Sequence, residues 1–362
     1  MFIITNRNIK EGVRGVDQLE SVPNRLGPNE LRIIEAEKKN NRWHVDVLPD
    51  ELSPTLKKKV GIPEDEFALA TEFMFRKLLA RVNPRLVNKG SRAKGRDLLL
   101  FVHGFNNSPE QVLDRCLDLE REYGVEVVAF TWPANGGGLK GIADYLDDKR
   151  DAQASVVAFD RVLSIGHQMI SQARAQYLKD VEADLKANGT QGEYLRQALS
   201  EKANEHCPFR VTLMLHSMGN YLFERTLNSS ALRGKLLIFD NIVMCAADVN
   251  HPGHQTWVEQ IQVRSRLYIT INEDDLALQA SRLKGGDEQL ARLGHYPHDL
   301  TASNAIYVDF TDESHVKRSH AYFEAKPLKN AKVKKFFQLA LTGERAEKAL
   351  KYDSVRRVHR LR

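Results

Sequence analysis

The chain has 362 residues, 42% hydrophobic and 28% charged, the balance of an ordinary globular protein. A chain of this size buries an extensive core, which excludes disordered, collagen-like and mini-protein classes and removes any need for metal or disulfide staples. The net charge of +5 is uneven: Lys326–Arg362 hold 12 Lys/Arg against 3 Asp/Glu, a local +9, so residues 1–325 carry −4.

Met1–Arg7 has neither a basic n-region nor a small-residue cleavage site, and no run reaches the roughly 18 apolar residues of a membrane span. Cys116, Cys207 and Cys245 are widely spaced and suggest no disulfide framework, so the expected location is the cytoplasm.

Along the first 95 residues, Phe2–Thr5, Leu31–Ala36 and Trp43–Leu48 are apolar or alternating runs that predict short strands. Pro63-Glu64-Asp65-Glu66 predicts the start of a helix carrying Phe67, Phe73 and Leu78-Leu79 to Asn83-Pro84. Asn88–Arg96 reads as a linker. This region is an N-terminal strand/helix extension, residues 1–95.

From residue 96 the texture changes. Leu98–Val102, Val125–Phe130, Val211–Leu215, Asn241–Cys245, Leu267–Ile271 and Ile306–Phe310 are dense in Val, Ile, Leu and Phe without alternation, as in strands buried on both faces. Helical patterns lie between most of them, at Pro109–Tyr123, Asp147–Gln172, Tyr221–Asn228 and His254–Gln260. The fold class is therefore α/β, a mostly parallel sheet with helices on both faces, over residues 96–325. Residues 172–207 read as an inserted helical hairpin or cap, and 326–362 as a solvated basic helix with a frayed tail.

The chemistry concentrates at Val211–Leu222, where a strand runs into His216-Ser217-Met218-Gly219 and then a helix. This is a nucleophile elbow, with the Ser217 hydroxyl exposed on a sharp strand-to-helix turn and Met218 N–H as the first oxyanion donor. Leu215 stands where the G-x-S-x-G pattern has glycine. The strand Leu98–Val102 ends in His103-Gly104-Phe105, which makes Phe105 N–H the second donor and His103 a structural turn residue.

In the chain order Ser, acid, His, carboxylates follow the next strands at Asp248 and at Glu273-Asp274-Asp275, and His315 and His320 follow the last one. His251–His254 and His295–His298 have His-x-x-His spacing, but they lie on proline-containing loops with no third ligand, so no metal is expected.

These motifs resemble a bacterial α/β-hydrolase family of unknown function with an F-V-H-G-[YF]-N-N start and an A-H-S-M-G-N elbow. Phe101–Asn107 and His216–Asn220 match those two, and Thr131-Trp132-Pro133 with Gly136–Gly138 and Tyr145 is similar to its S-W-P-s-x-G stretch. Ala246-Ala247-Asp248 is similar to its A-P-D, with Ala247 in place of proline. Asn272–Leu278 is similar to its D-x-A-L segment and Ser319–Phe323 to its G-H-S-Y-[YF] segment, with Ser319 in place of glycine. The resemblance covers about residues 97–325. It implies the α/β-hydrolase fold, Asp275 as triad acid and His320 as base; strand position and chain order leave Asp248 as the alternative acid and His315 as the alternative base.

The expected function is a serine esterase, lipase-like, that cleaves a small-molecule or lipid ester without a cofactor. A partner- or membrane-triggered lipid hydrolase and a catalytically silent binding module are the alternatives. Nucleic acid is not an expected partner; the basic tail is the candidate for peripheral membrane contact, and no protein partner is implied.

Overall fold

In the computed structural model, residues 1–84, 94–134, 142–204, 209–229, 237–282 and 290–362 are described. Gly136–Gly138, Cys207 and most of the Asn88–Arg96 stretch lie outside the described residues. The chain opens with β1 (Phe2–Thr5), β2 (Arg7–Ile9), β3 (Leu19–Pro23), β4 (Arg32–Lys39) and β5 (Arg42–Val47), then α1 (Pro54–Lys59) and α2 (Ala70–Val82). Strands and helices then alternate through β6 (Leu98–Val102), α3 (Pro109–Tyr123), β7 (Glu126–Thr131), α4 (Ile142–Ala154), α5 (Val156–Ala187) and α6 (Gly192–Asn204). The series continues with β8 (Val211–His216), α7 (Gly219–Ser229), β9 (Asn241–Cys245), α8 (Gln255–Val258), β10 (Arg266–Ile271), α9 (Leu276–Arg282) and β11 (Ala305–Asp309). It closes with α10 (Ala331–Leu341), β12 (Leu350–Asp353) and β13 (Val358–Leu361).

Among the described residues, eleven strands make one sheet in the order β12-β13-β11-β10-β9-β8-β6-β7-β1-β4-β5. The centre, from β1 through β7, β6, β8, β9, β10 and β11 to β13, is parallel, and antiparallel hairpins β4–β5 and β12–β13 close the two ends. The non-alternating runs are the central strands: β7, β8 and β9 are buried along their whole length. After β6 the chain moves to β7, then crosses back over β6 to β8 and continues outward. Loops leaving β6 and β8 therefore separate at the carboxyl edge of the sheet, where open α/β sheets form their ligand crevices.

One face of the sheet packs against α2, α5 and α7, with Phe159 stacked on Phe130 at 5.1 Å and edge-on to Phe223. The other face packs against α3 and α10. The α3 helix has a complete start and stop: Ser108 and Gln111 form a capping box, Pro109 opens the first turn, and Gly124 ends the helix at φ 67°.

Three expectations are corrected. The tail is not solvated and frayed. Phe336, Phe337 and Leu341 of α10 are fully buried, and β13 pairs with β11. Its charges are partly spent on the body, with Lys334 on Glu122 and Arg356 and Arg360 on Asp309. The apolar face of the helix outweighs its lysines, because each buried Phe contributes about 2–3 kcal/mol.

The helix expected from Pro63 begins instead at Ala70. Leu69 bridges to Glu51, and Ala70 N–H donates to Asp50 O at 3.1 Å, which holds Leu69 extended. The proline-led start belongs to α1, where Ser53 caps Leu56. The third concerns the cap: α5 and α6 do pack together as a hairpin, but α5 lines an apolar chamber with Leu98 and Val211 at the amino ends of β6 and β8, and none of residues 172–202 lines the cleft described below. Among the described residues no helix is long and apolar enough to cross a membrane.

Candidate active site

Strand β8 delivers Ser217 to the carboxyl edge, and the turn into α7 forces it to φ 54°, a left-handed conformation unusual for a side-chain-bearing residue. Four hydrogen bonds hold it there. Its N–H donates to Cys245 O at 3.0 Å, and its carbonyl accepts from Asp248 N at 3.2 Å, Asn220 N at 3.1 Å and Asn220 Nδ2 at 3.0 Å.

Space for the turn comes from two glycines. A Cβ on Gly104 would stand 2.6 Å from Ser217 Cβ, and one on Gly219 would stand 2.8 Å from Val102 O. Leu215, in place of the pattern's first glycine, is fully buried between Val102 and Met244 on the neighbouring strands. It packs into the sheet core, so the elbow's crowding is relieved elsewhere.

His320 lies in the loop after β11, and its Nδ1 is 2.7 Å from Asp275 Oδ2. Asp275 is fully buried, and its other oxygen accepts from Ala277 N at 2.9 Å and Leu278 N at 3.1 Å in the first turn of α9. The His320 loop is pinned on every side. Asn272 Nδ2 donates to Ser319 O at 3.1 Å, Tyr123 OH to Phe323 O at 2.6 Å, and Arg115 grips Glu324 with two bonds of 2.8 and 2.9 Å. His216 supports it from below: its ring is 4.8 Å from that of His320, and its Nε2 is 3.2 Å from His320 O. Burial, and then the His320 charge, push the His216 pKa well down, so the ring is neutral and Nε2–H is the donor.

A family described as an α/β hydrolase of unknown function (DUF900) matches residues 82–176 and 171–345. The chain belongs to this α/β-hydrolase family. No curated protein and no solved structure matches it. The matched span takes in Ser217, Asp275 and His320 and leaves β1 to β5 outside.

The hydrolase places its second carboxylate differently. Asp248, after β9, accepts from Ser281 Oγ at 2.7 Å and from Tyr145 OH at 3.1 Å, and lies 3.1 Å from Arg292 Nε. Both members of the Asp248–Arg292 pair are 4% exposed. His315, the alternative base, sits exposed in a turn at φ 68°.

Met218 is buried directly before α7, and Phe105 lines the cleft with its ring 5.6 Å from Tyr145. The cleft above Ser217 and His320 has a volume of about 680 Å³, within the range of small-molecule sites. Its lining is mixed: Phe105, Leu278 and the alanines Ala277 and Ala280 are apolar, and Gln111, Asp114, Arg115 and Asp118 of α3 are polar or charged.

In the first histidine pair the His251 and His254 rings lie 5.0 Å apart. His254 places one ring nitrogen 2.7 Å from His251 O and the other 2.7 Å from Tyr307 OH, and among the described residues no His/Cys/Asp/Glu group of three has metal-site geometry. Ser281, Arg292 and Arg7 were not singled out by sequence reasoning. They act through contacts up to 136 residues away, and no local spacing marks such contacts.

Proposed function

We propose that this hydrolase cleaves a carboxylic ester through an acyl-enzyme formed on Ser217. The observation that carries the reading is the 2.7 Å contact of His320 Nδ1 with the buried Asp275 carboxylate, in a loop that shares one cleft with the strained Ser217. A proton held on Nδ1 by Asp275 leaves Nε2 with the free lone pair that a general base needs.

Ser217 Oγ attacks the ester carbonyl while His320 Nε2 takes its proton. The tetrahedral oxyanion is held by the N–H groups of Met218 and Phe105. Collapse breaks the bond to the alcohol oxygen, which leaves with the proton from His320, and water then repeats the sequence on the acyl-enzyme. Each oxyanion donor is worth about 100–1,000-fold in rate. The mixed lining of the cleft suits an ester with both an apolar and a polar part; lipid esters with polar heads fall in this class.

The test is labelling by a fluorophosphonate probe. Wild type is expected to label, and Ser217→Ala and His320→Ala are expected not to. A folded wild type that stays unlabelled would overturn the reading and bring forward a silent or partner-gated module.

A further inference from the structure

The chain's first strands lie outside the matched family span, yet one of their residues reaches the catalytic edge. β1 runs parallel to β7 with Thr5 opposite Thr131, so the chain leaving β1 arrives beside the loops that follow β6 and β7. There Arg7 is fully buried. Its Nε donates to Thr131 Oγ1 at 3.2 Å, Nη1 to Glu20 O at 3.3 Å, and Nη2 to Asn107 O at 3.1 Å and Ala134 O at 3.2 Å.

Hydrogen-bond directions continue from Arg7 toward the site. Thr131 Oγ1 accepts from Arg7, so its hydroxyl is free to donate to His103 Nε2, 3.0 Å away. Nε2 also accepts from Trp132 N–H at 3.2 Å and is therefore the unprotonated nitrogen. Burial, followed by the Arg7 charge, pushes the His103 pKa down to about 3, so the ring is neutral and carries its single proton on Nδ1. That proton is donated to Gly104 O at 2.9 Å, and Asn107 Nδ2 donates to the same carbonyl at 3.1 Å. His103 itself is clamped by stacking on Trp132 at 5.1 Å. Gly104 O and Phe105 N–H belong to one planar peptide group.

We propose that Arg7 is a positioning residue for the oxyanion hole, acting through Thr131 and His103 on the Gly104–Phe105 peptide. Donors on the carbonyl end fix the plane of that peptide and polarise its N–H, as chains of hydrogen bonds strengthen one another. The proposal rests on the esterase reading above, which assigns Phe105 N–H to the oxyanion. It gives the N-terminal strands a catalytic purpose: they carry the first donor of the relay.

The experiment compares Arg7→Met, Thr131→Val and the conservative Thr131→Ser in the full chain. Readouts are p-nitrophenyl butyrate kinetics, affinity for an alkyl trifluoromethyl ketone, and thermal melting. The ketone forms a Ser217-bound alkoxide in the hole, whereas KM reports largely on the ground state. Arg7→Met and Thr131→Val are expected to lower kcat and ketone affinity together by about 10–100-fold with KM little changed. Their double variant should be no worse than the poorer single, and Thr131→Ser should stay near wild type.

Folded variants that keep full ketone affinity, or that lose kcat and KM without it, would overturn the proposal. Should Arg7→Met not fold, Thr131→Val and Thr131→Ser decide alone. Should wild type neither label nor turn over, the esterase reading fails separately. The relay is then read from the 15N-labelled His103 side chain and the Phe105 amide, which are expected to shift in Thr131→Val; unmoved resonances would refute it.

Discussion

Two buried carboxylates flank Ser217, on the loops after adjacent strands, and their neighbours give them different work. Asp275, after β10, turns one oxygen to the backbone N–H groups of α9 and the other to His320. Asp248, after β9, is enclosed by Ser281, Tyr145 and the Arg292 guanidinium. The first is bound to a ring that can carry a proton, and the second to groups that hold the cleft wall together. Chain order and strand position are the same in kind for both residues, so their roles are separated by the partner that the fold brings to each.

The largest expected effect separates the two directly. Asp275→Asn is expected to lower kcat by about 10⁴-fold with little loss of melting temperature, because the amide favours the wrong imidazole tautomer. Asp248→Asn is expected to leave kcat within about tenfold and to lower stability instead. Steady-state kinetics with thermal melts of both variants would break the comparison if the losses were exchanged.

Next in size is Arg292→Met, which leaves the Asp248 charge buried without its cation. The expected cost is about 3–5 kcal/mol in denaturant unfolding. A loss below about 1 kcal/mol would mean that Ser281 and Tyr145 suffice to hold the carboxylate.

The smallest effect concerns pH. Burial, then the Asp248 charge, raises the Tyr145 pKa above its ordinary value of 10.0. The folded state keeps a phenol proton that the unfolded chain loses, so stability falls as pH rises past about 10. His216, which also lines the cleft, refuses a proton that the unfolded chain accepts, so stability falls as pH drops below its ordinary value of 6.5. Tyr145→Phe is expected to make the alkaline limb shallower, with Tyr123, Tyr268, Tyr307 and Tyr322 keeping the remainder of the slope, at a cost of about 1 kcal/mol at neutral pH. His216→Asn is expected to make the acid limb shallower, with His103 keeping the remainder of the slope. Melting temperatures across pH 4–11 check both.

Much of this fold is legible locally. Leu98–Val102 and Asn241–Cys245 have as observed strands the same limits that their apolar runs mark, and Pro109–Tyr123 is bounded by its own capping box and glycine. The elbow is equally local, since a strand, a His-Ser-Met-Gly turn and a helix occupy 19 consecutive residues. The tail misleads because twelve basic residues dominate its composition, while a few buried aromatics decide its position.

By itself, then, the sequence determined the α/β class, the parallel core and the neighbourhood of Ser217, since these follow from apolar periodicity and turn chemistry within short windows. Only the tertiary structure decided that Asp275 and not Asp248 meets His320, that Gly104 makes room for Ser217, and that Arg7 sits behind the loop after β6. Those contacts join residues 45, 113 and 100 positions apart. They depend on strand order and crossover, which place distant loops on one edge of a sheet and leave no trace in local spacing.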